Sequence, residues 1–273
     1  MTELQSKLLD MLKWYNIFCR DHGIKYYAVG GTLLGAVRHN GFIPWDDDID
    51  LAMPRDDYEE FERLMENKIY NKYILETYKS IAKDYCYPYD KLYDTTTTLV
   101  EDYRIPLRRG IFLDIFPLDG AGNTEEESNA WCKKINRRYY FYLARMAAVS
   151  KRRQEYKNLA IHASRMIPNL IVDNRKFRIK LNEKCKKFNL GNSKYAGNLL
   201  GNWGIREVVP VEVIGKPKEY KFEDISILGI EDYDTYLTHI YGNWRNLPPK
   251  DKRVSQHNYL HLDLESPFNK PKE

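Results

Sequence analysis

Four carboxylates lie within five residues of the segment FIPWDDDIDL, which spans residues 42–51: Asp46, Asp47, Asp48 and Asp50. Two like charges about 4 Å apart repel by about 4 kcal/mol at the effective dielectric constant of a protein surface, so the folded chain must offset this repulsion. A hard divalent cation would do so, because carboxylate oxygens are the ligands that it prefers. A turn that is open to water is the alternative interpretation.

The spacing of these acids also resembles a calcium loop. Asp46, Asp48 and Asp50 match its first three ligand positions. An EF-hand loop requires Gly at its sixth position and Glu at its twelfth, whereas this chain has Leu51 and Asp57 there. We therefore do not expect an EF-hand site.

The end of the acidic segment is typical of a β-strand over residues 49–53. Alternate residues of a strand point to the same side, so Asp48 and Asp50 would share one face while Ile49 and Leu51 enter the core. Two carboxylates held side by side on a rigid strand would bind a divalent cation.

A third candidate acid is Asp114, in the apolar segment GIFLDIFPLD at residues 110–119. In a strand, Phe112 and Phe116 would lie on its face. A lone charge in so apolar a strand is costly to bury unless it is paired or bound to a metal. Asp114 is therefore expected either to join the site of Asp48 and Asp50 or to pair with an arginine.

The segment Val29-Gly30-Gly31-Thr32 predicts a strand that runs into a Gly-Gly turn and then a helix, with Thr32 as its cap. Glycines there let backbone N–H groups approach a phosphate, and a helix N-terminus favours negative charge. A Gly-Gly turn, an Asp-x-Asp strand and a distant strand aspartate, in that order, are typical of the nucleotidyltransferase fold. Metals in such a site bridge phosphates and activate a hydroxyl.

The remaining pattern predicts an α/β (α+β) fold with a mixed, nucleotidyltransferase-like β-sheet, flanking helices, a basic helical region and a C-terminal β-pair. We expect parts at 1–123, 124–190 and 191–273 that form one compact unit. Helices are predicted at 2–23, 33–38, from Pro54 onward, through 124–188 with a break at Pro168, and at 232–240. Strands are predicted at 24–29, 49–53, 73–78, 87–94, 97–102 and 110–119, with a pair formed by 207–214 and 219–230.

The composition is that of a globular protein, since 43% of the 273 residues are hydrophobic and 30% are charged. The longest uncharged run, residues 26–37, is too short to cross a bilayer. The N-terminus predicts a helix and no secretory signal. Four scattered cysteines without a C-x-x-C pair predict neither a zinc site nor a disulfide framework, and a cytoplasmic location is expected.

The charge is unevenly distributed. Residues 131–190 contain seventeen Lys and Arg residues against three acids, although the whole chain has a net charge of only +4. Solvated helix faces are one interpretation. A peripheral surface for anionic membrane lipid or for a polyanionic glycan precursor is another. Nucleic acid is not expected as a partner, because no aromatic-stacking module or zinc-finger pattern is present.

The segment GTLLGAVRHNGFIPWDDDIDL, residues 31–51, closely resembles the LicD family, and the resemblance extends over most of the chain. It recurs at DKLYDTTT (90–97), GIFLDIFPLDG (110–120) and YGNWRNLPPKDKRVSQH (241–257). Two features depart from the expected patterns. Sixteen residues separate Gly31 from Asp48, more than in the general nucleotidyltransferase pattern, and Gln256 precedes His257 where relatives often carry His-His.

The resemblance implies a nucleotidyltransferase-fold enzyme in which Asp48 and Asp50 hold Mg²⁺, with Mn²⁺ as the alternative. Asp114 would be a third metal ligand or the base for the acceptor hydroxyl. Asp46 is the next candidate for the metal, and Asp47 would orient the loop. The candidates for binding nucleotide or phosphate are Gly30, Gly31, Thr32, Arg38, Lys91, Arg253 and His257.

The family transfers phosphocholine from CDP-choline, and a quaternary ammonium group is bound by aromatic faces because it cannot donate a hydrogen bond. This chain has 22 tyrosines, so many aromatic candidates exist. Trp45 could stack on cytosine or fill the core. The candidates for contact with choline or base are Trp45, Tyr85, Tyr87, Tyr89, Trp203, Trp244 and Tyr259.

The expected reaction is attack of a glycan hydroxyl on the choline-bearing phosphorus of CDP-choline, which releases CMP. The acceptor would be a teichoic acid, a lipopolysaccharide or a similar lipid-linked oligosaccharide precursor at the cytoplasmic membrane face. One alternative is a transferase for CDP-ribitol or CDP-glycerol, as in the fukutin-related members, or a nucleotidyltransferase for a small molecule. The other alternative is a non-catalytic relative that binds a nucleotide or a glycan. The presence of Asp48, Asp50 and Asp114 argues against it.

Overall fold

The computed structural model describes residues 1–149, 155–168, 172–255, 257 and 259–268. Within these residues the fold is a mixed α/β structure, as predicted, built on a ten-stranded sheet and a three-stranded sheet. The helices are α1 (Glu3–Asp21), α2 (Gly30–His39), α3 (Arg55–Met65), α4 (Glu125–Met146), α5 (Glu155–Arg165), α6 (Asn174–Cys185), α7 (Val211–Ile214) and α8 (Tyr233–Tyr241).

Four of the predicted strands, those at 24–29, 73–78, 87–94 and 97–102, are shorter than the sequence pattern predicts, and several short strands were not predicted. They are β1 (Tyr27–Ala28), β2 (Asp50–Pro54), β3 (Ile69–Tyr70), β4 (Tyr73–Glu76), β5 (Asp90–Asp94), β6 (Thr98–Glu101), β7 (Leu107–Arg109), β8 (Phe112–Gly122), β9 (Tyr195–Gly197), β10 (Val208–Pro210), β11 (Lys218–Phe222), β12 (Ile225–Gly229) and β13 (Tyr259–Asp263). The large sheet has the order β11-β12-β1-β2-β8-β5-β4-β3, with β9 on β8 and β10 on β9. The small sheet has the order β13-β6-β7.

Helix α1 follows its sequence signals closely. The Thr2 hydroxyl accepts from the Gln5 backbone N–H at 3.1 Å, while the Thr2 N–H donates to Gln5 Oε1 at 2.9 Å, which is a complete capping box. Gly23, just past the helix end, has φ +67°, the left-handed conformation that favours glycine. The apolar face buries Leu8 and Leu12 in the core.

Helix α2 begins at Gly30, three residues before the predicted start. Its N-cap is Val29, which makes no side-chain capping bond, so the prediction that Thr32 caps this helix is wrong. Thr32 lies inside the helix, and its hydroxyl instead accepts from the backbone N–H of Asp50 at 2.8 Å. Asn40 ends the helix in the left-handed conformation, close to the predicted end.

Strand β8 is the centre of the large sheet, and all eleven of its residues are buried. It pairs in parallel with β2, where Asp50 is opposite Asp114, and antiparallel with β5, where Lys91 is opposite Asp114. Helices α1, α3 and α4 contact this strand. The strands predicted around Asp50 and Asp114 are therefore adjacent, as a shared site requires.

The predicted C-terminal β-pair has the wrong partner. Residues 208–210 form β10, which pairs with β9, and Val211–Ile214 is a short helix. The actual hairpin is β11 with β12, joined at Glu223 and Asp224, so it lies almost entirely within the second predicted segment. Glu223 adopts φ +54°. A turn at an Asp or Glu without glycine gives little sequence signal, which explains the error.

The helical region contains α4, α5 and α6, and Pro168 follows α5 as predicted. Residues 150–154 and 169–171, which belong to the predicted basic region, and Gln256 lie outside the described residues. No described helix is long and apolar enough to cross a membrane. The division into parts at 1–123, 124–190 and 191–273 stays a prediction.

Candidate active site

The backbone of the acidic loop between α2 and β2 is held by hydrogen bonds with side chains of α1 and α2 and with the backbone of Val29. Gln5 Nε2 on α1 donates to the backbone oxygen of Asp46 at 2.8 Å. The Thr32 hydroxyl on α2 accepts from the Asp50 N–H at 2.8 Å, and the Val29 N–H donates to the Asp50 oxygen at 3.2 Å. The side chains of the loop are therefore placed against the N-terminus of α2.

Gly30 and Gly31 make room for two carboxylates at that helix end. A Cβ atom on Gly31 would lie 2.7 Å from Asp46 Oδ2, and one on Gly30 would lie 3.1 Å from Asp50 Oδ2. Gly30 also has φ +52°. Carboxylates near a helix N-terminus are stabilised by its dipole. This packing explains why glycine is needed at positions 30 and 31. The contact of Gly30, Gly31 and Thr32 with phosphate stays a prediction.

Asp114 forms a buried ion pair with Lys91, its neighbour across the sheet. The distance from Lys91 Nζ to Asp114 Oδ1 is 2.8 Å, and the side chains are 1% and 9% exposed. The ammonium also lies 3.2 Å from the ring centroid of Phe112 and 3.8 Å from that of Tyr87. Burial raises the pKa of Asp114 to about 6, and the charge of Lys91 limits that rise. The pairing partner is a lysine and not the arginine considered from the sequence.

Burial and neighbouring carboxylates raise the pKa values of Asp46 and Asp50. Burial raises the pKa of Asp46 to about 8, helped by the charge of Asp48 and a carboxyl–carboxyl hydrogen bond with it. Burial raises the pKa of Asp50 well above its usual range, helped by Asp48, Asp114 and Asp46. Crowded oxygen ligands that hold protons in the absence of a cation fit a hard divalent metal ion, which would displace those protons.

His257 closes the site from the C-terminal tail. Its Nδ1 lies 2.8 Å from Asp47 Oδ1, and its Nε2 lies 3.4 Å from Asp48 Oδ2. Burial lowers the pKa of His257, but the hydrogen bond to Asp47 and the charge of Asp48 outweigh it and raise the pKa to about 9. The Ser255 hydroxyl donates to Asp47 Oδ2 at 2.6 Å, and the Tyr259 ring stacks on the imidazole. The tail is therefore anchored on the acidic loop.

Three of these residues form a compact group of potential metal ligands. One ligand atom from each of Asp47, Asp48 and His257 lies within 4.8 Å of the others. Across the described residues, Asp48, Asp50 and Asp114 do not form such a group. From the sequence, Asp47 was expected to orient the loop and His257 to contact phosphate, because a partner 210 residues away leaves no local signal.

Comparison with known proteins identifies a nucleotidyltransferase domain in the N-terminal part of the chain. Residues 23–147 match the family model for the LicD/FKTN/FKRP nucleotidyltransferase domain. Over these residues the chain belongs to the LicD family. The chain is also similar to the lipopolysaccharide cholinephosphotransferase LicD of Haemophilus influenzae, with 29% identity over 94% of this chain and 96% of that protein. The mouse and human ribitol 5-phosphate transferase FKRP are 48% identical over 42 residues, which are 15% of this chain and 8% of theirs.

Several predicted residues of the LicD domain lie in its interior. Tyr85, Tyr87 and Tyr89 are buried. The Tyr85 hydroxyl donates to the Tyr89 backbone oxygen at 2.8 Å, the Tyr87 hydroxyl bonds to Glu101, and the Tyr89 ring packs on Phe116. All three hold strand β5 against its neighbours, and their predicted contact with choline stays a prediction.

The other predicted residues lie around the acidic loop or C-terminal to the LicD domain. Trp45 is partly buried against the core, with the Arg253 guanidinium 5.7 Å from its ring centroid. Arg253 Nε donates to the Pro248 oxygen at 2.8 Å, and Arg38 Nη1 donates to the Trp244 oxygen at 2.7 Å.

Two of the tryptophans proposed for choline differ in exposure. Trp244 is buried and its indole donates to Asp234 at 3.0 Å. Trp203 is the more exposed and lies edge-to-face on Tyr241, with ring centroids 4.9 Å apart. Trp203 is therefore the candidate with the most ring surface open to a ligand.

Glu207 is a buried acid that the sequence analysis did not select. Its Oε1 accepts from the Trp203 backbone N–H at 2.9 Å, and a Cβ atom on Gly201 would collide with its carboxylate. Burial raises the pKa of Glu207 to about 7, although the hydrogen bonds from Trp203 and Asn198 oppose the rise. Glu207 therefore shapes the loop that presents Trp203.

We expect Glu207 to make folding stability depend on pH. The folded protein binds this proton more tightly than the unfolded chain does, so the stabilising contribution is complete below about pH 4.3 and is lost as the pH rises through about 7. Relative to a Glu207→Gln variant, the wild-type free energy of unfolding should fall by about 3 kcal/mol over that window.

Urea unfolding of both proteins at several pH values would measure this difference. Glu212→Gln, which changes an exposed glutamate nearby in the chain, is the matched control and should follow the wild-type curve. Parallel curves for the wild type and Glu207→Gln would contradict the prediction.

Proposed function

We propose that this protein is a divalent-metal-dependent phosphotransferase that moves phosphocholine from CDP-choline to a glycan hydroxyl and releases CMP. The observation that carries the proposal is the pair of carboxylates at the N-terminus of α2, Asp46 and Asp50, in a LicD-family domain. Asp48 and Asp114 lie close enough to raise the pKa of Asp50. The similarity to a lipopolysaccharide cholinephosphotransferase along nearly the whole chain supports the choice of phosphocholine.

Asp48 and Asp50 are proposed to hold Mg²⁺ or Mn²⁺, with Asp46 beside them. A bound divalent cation would supply positive charge to the diphosphate and orient it. The oxygen-rich donor set favours Mg²⁺ or Mn²⁺, whereas participation of His257 would favour Mn²⁺ or a softer metal, because imidazole is a poor Mg²⁺ ligand. The α2 N-terminus, with Gly30, Gly31 and Thr32, would bind phosphate oxygens through backbone N–H groups.

Asp114 is proposed to accept the proton of the acceptor hydroxyl. It lies opposite Asp50 in the sheet, so a phosphate held at Asp50 would lie beside it. Lys91 holds one carboxylate oxygen at 2.8 Å and keeps the acid largely ionised at neutral pH. A base is most effective when its pKa lies near the working pH, and a buried carboxyl meets that requirement better than an exposed one.

Charge around the diphosphate would come from the tail and from α2. Arg253 and His257 lie on the acidic loop and would contact phosphate when the donor binds. Arg38 would need to release the Trp244 oxygen to do so. Trp203 is proposed as an aromatic contact for the choline ammonium. The acceptor is proposed to be a teichoic acid, a lipopolysaccharide or a similar precursor at the cytoplasmic membrane face.

A second candidate is the same reaction with CDP-ribitol as the donor, with CDP-glycerol as a related polyol donor. The observation that favours it is the similarity of a 42-residue segment to the ribitol 5-phosphate transferase FKRP. A polyol requires hydrogen-bonding groups where choline requires aromatic faces. The donor therefore discriminates between the two candidates.

Thermal unfolding with Mg²⁺ and each of CDP-choline, CDP-ribitol, CDP-glycerol, CMP and ATP tests the proposal. A ligand at a hundred times its dissociation constant should stabilise the protein by about 2.7 kcal/mol. We expect a metal-dependent shift with CDP-choline that exceeds the shift with CMP.

The same panel with Trp203→Ala should lose the advantage of CDP-choline over CMP but keep the response to CMP. A larger shift with CDP-ribitol would favour the second candidate. No response to any cytidine nucleotide would overturn both candidates.

A further inference from the structure

Helix α5 has an apolar face that is turned outward. Tyr156, Leu159 and Met166 are 66%, 69% and 82% exposed, and Ala163 is exposed between them. These positions recur at helical spacing and so share one side. The Met166 N–H still donates to the His162 oxygen at 3.2 Å, so the helical geometry reaches it. The opposite side buries only Ile161 and Ser164.

Two neighbouring segments extend this apolar surface. Arg145 Nη1 on α4 donates to the Ser164 oxygen at 2.6 Å, and Arg165 on α5 bonds to the Ala147 oxygen. The Arg104 N–H donates to the Met146 oxygen at 2.8 Å. These bonds bring the end of α5 together with two further exposed apolar side chains, Ile105 at 46% and Val149 at 45% exposure. We call the surface of Tyr156, Leu159, Ala163, Met166, Ile105 and Val149 the α5 face.

The surroundings of the α5 face are basic. Arg104 lies close enough to Arg165 to lower the pKa of that guanidinium, in addition to the effect of burial. Lys157 and Arg108 are exposed in the same two segments. Arg104, Arg108, Lys157 and Arg165 form no ion pair with a described carboxylate. The acids in these segments are Asp102 and Glu155, so positive charge is in excess.

The α5 face is linked to the candidate active site by a short series of contacts. Ala147 forms a β-bridge with Tyr103, whose hydroxyl lies 2.9 Å from the Tyr87 hydroxyl. The Tyr87 ring contacts the Lys91 ammonium, which binds Asp114. The α5 face is therefore connected through buried and partly buried side chains to Asp114, the proposed base.

We propose that the α5 face docks on an anionic lipid bilayer. Exposed Leu, Met and Tyr side chains would enter the interfacial region, and the surrounding cations would meet lipid phosphates, each worth about 1 kcal/mol near such a surface. Two copies of this chain would instead bring like charges together, so a bilayer fits the charge better than a second copy. The inference goes beyond the proposed function, because it concerns a surface and needs no donor.

Co-sedimentation of the full chain with vesicles tests it. We expect binding to vesicles of equal parts phosphatidylglycerol and phosphatidylcholine, weakened by added salt, and little binding to phosphatidylcholine alone. Leu159→Glu with Met166→Glu should lower the vesicle affinity at least tenfold. Lys157→Gln tests the charge separately and should weaken binding at low salt only. Ile69→Glu, which changes a similarly exposed isoleucine on β3, is the matched control.

Equal vesicle affinity of the wild type and the double variant would overturn the inference. So would a concentration-dependent dimer that the double variant abolishes, because a second copy would then occupy the α5 face. The nucleotide-induced thermal shift of each variant should match that of the wild type, which shows that the fold is intact. Vesicle binding can fail while the nucleotide response remains, and the nucleotide response can fail while vesicle binding remains. The docking proposal and the proposed function are therefore tested independently.

Discussion

Replacing Asp48 with asparagine is expected to lower metal-dependent turnover by about 10²–10⁴-fold. The removed carboxylate belongs to both candidate ligand sets, and a catalytic metal contributes several kcal/mol to transition-state stabilisation. The metal-free protein should be as stable as the wild type or more so, because Asp46 and Asp50 lose a repelling neighbour. Steady-state rates with Mg²⁺ and Mn²⁺, together with thermal unfolding, measure both effects.

Two further variants decide which ligands hold the metal. If Asp48 and Asp50 bind it, as the resemblance implies, Asp50→Asn should abolish the metal-induced thermal shift and His257→Gln should weaken only the anchoring of the tail. If the compact group of Asp47, Asp48 and His257 binds it, His257→Gln should abolish the metal-induced thermal shift and Asp50→Asn should leave it largely in place. Asp10→Asn, on the exposed side of α1, is the matched control. Full turnover in Asp48→Asn would overturn the proposed metal site altogether.

Replacing Lys91 with methionine is expected to destabilise the fold by about 3–5 kcal/mol. Removing one partner of a buried ion pair leaves the other charge uncompensated, and the Asp114 side chain is only 9% exposed to solvent. The pKa of Asp114 should then rise further, so it would be protonated at neutral pH and turnover should fall as well. Urea unfolding at pH 7 measures the stability, and the pH profile of turnover measures the protonation.

The double variant Lys91→Met, Asp114→Asn separates stability from catalysis. Removing both charges should restore much of the stability, because two neutral groups of similar size tolerate burial. It should not restore turnover, since asparagine cannot accept a proton. Lys83→Met, which changes an exposed lysine, should alter the free energy of unfolding by less than about 0.5 kcal/mol. A stable Lys91→Met single variant would contradict the buried pair.

Features that depend on neighbours along the chain could be predicted from the sequence. The capping box of α1 and the apolar face of α3 depend on residues within a few positions of one another. The alternation of Asp48 and Asp50 with buried Ile49 and Leu51 follows from the two-residue repeat of a strand. Local chemistry therefore placed the acidic cluster at the start of β2, and the family resemblance gave it a function to test.

Features that depend on the register between distant strands were decided only by the tertiary structure. Lys91 and Asp114 are a pair because β5 and β8 align in one register, and a shift by one residue would point them to opposite faces. Asp47 and His257 meet because the tail folds onto the acidic loop. Thr32 binds the Asp50 backbone instead of capping α2, since the packed strand offers it a donor. The sequence by itself determined which residues could do the chemistry, and the packing of strands and tail decided which of them stand together.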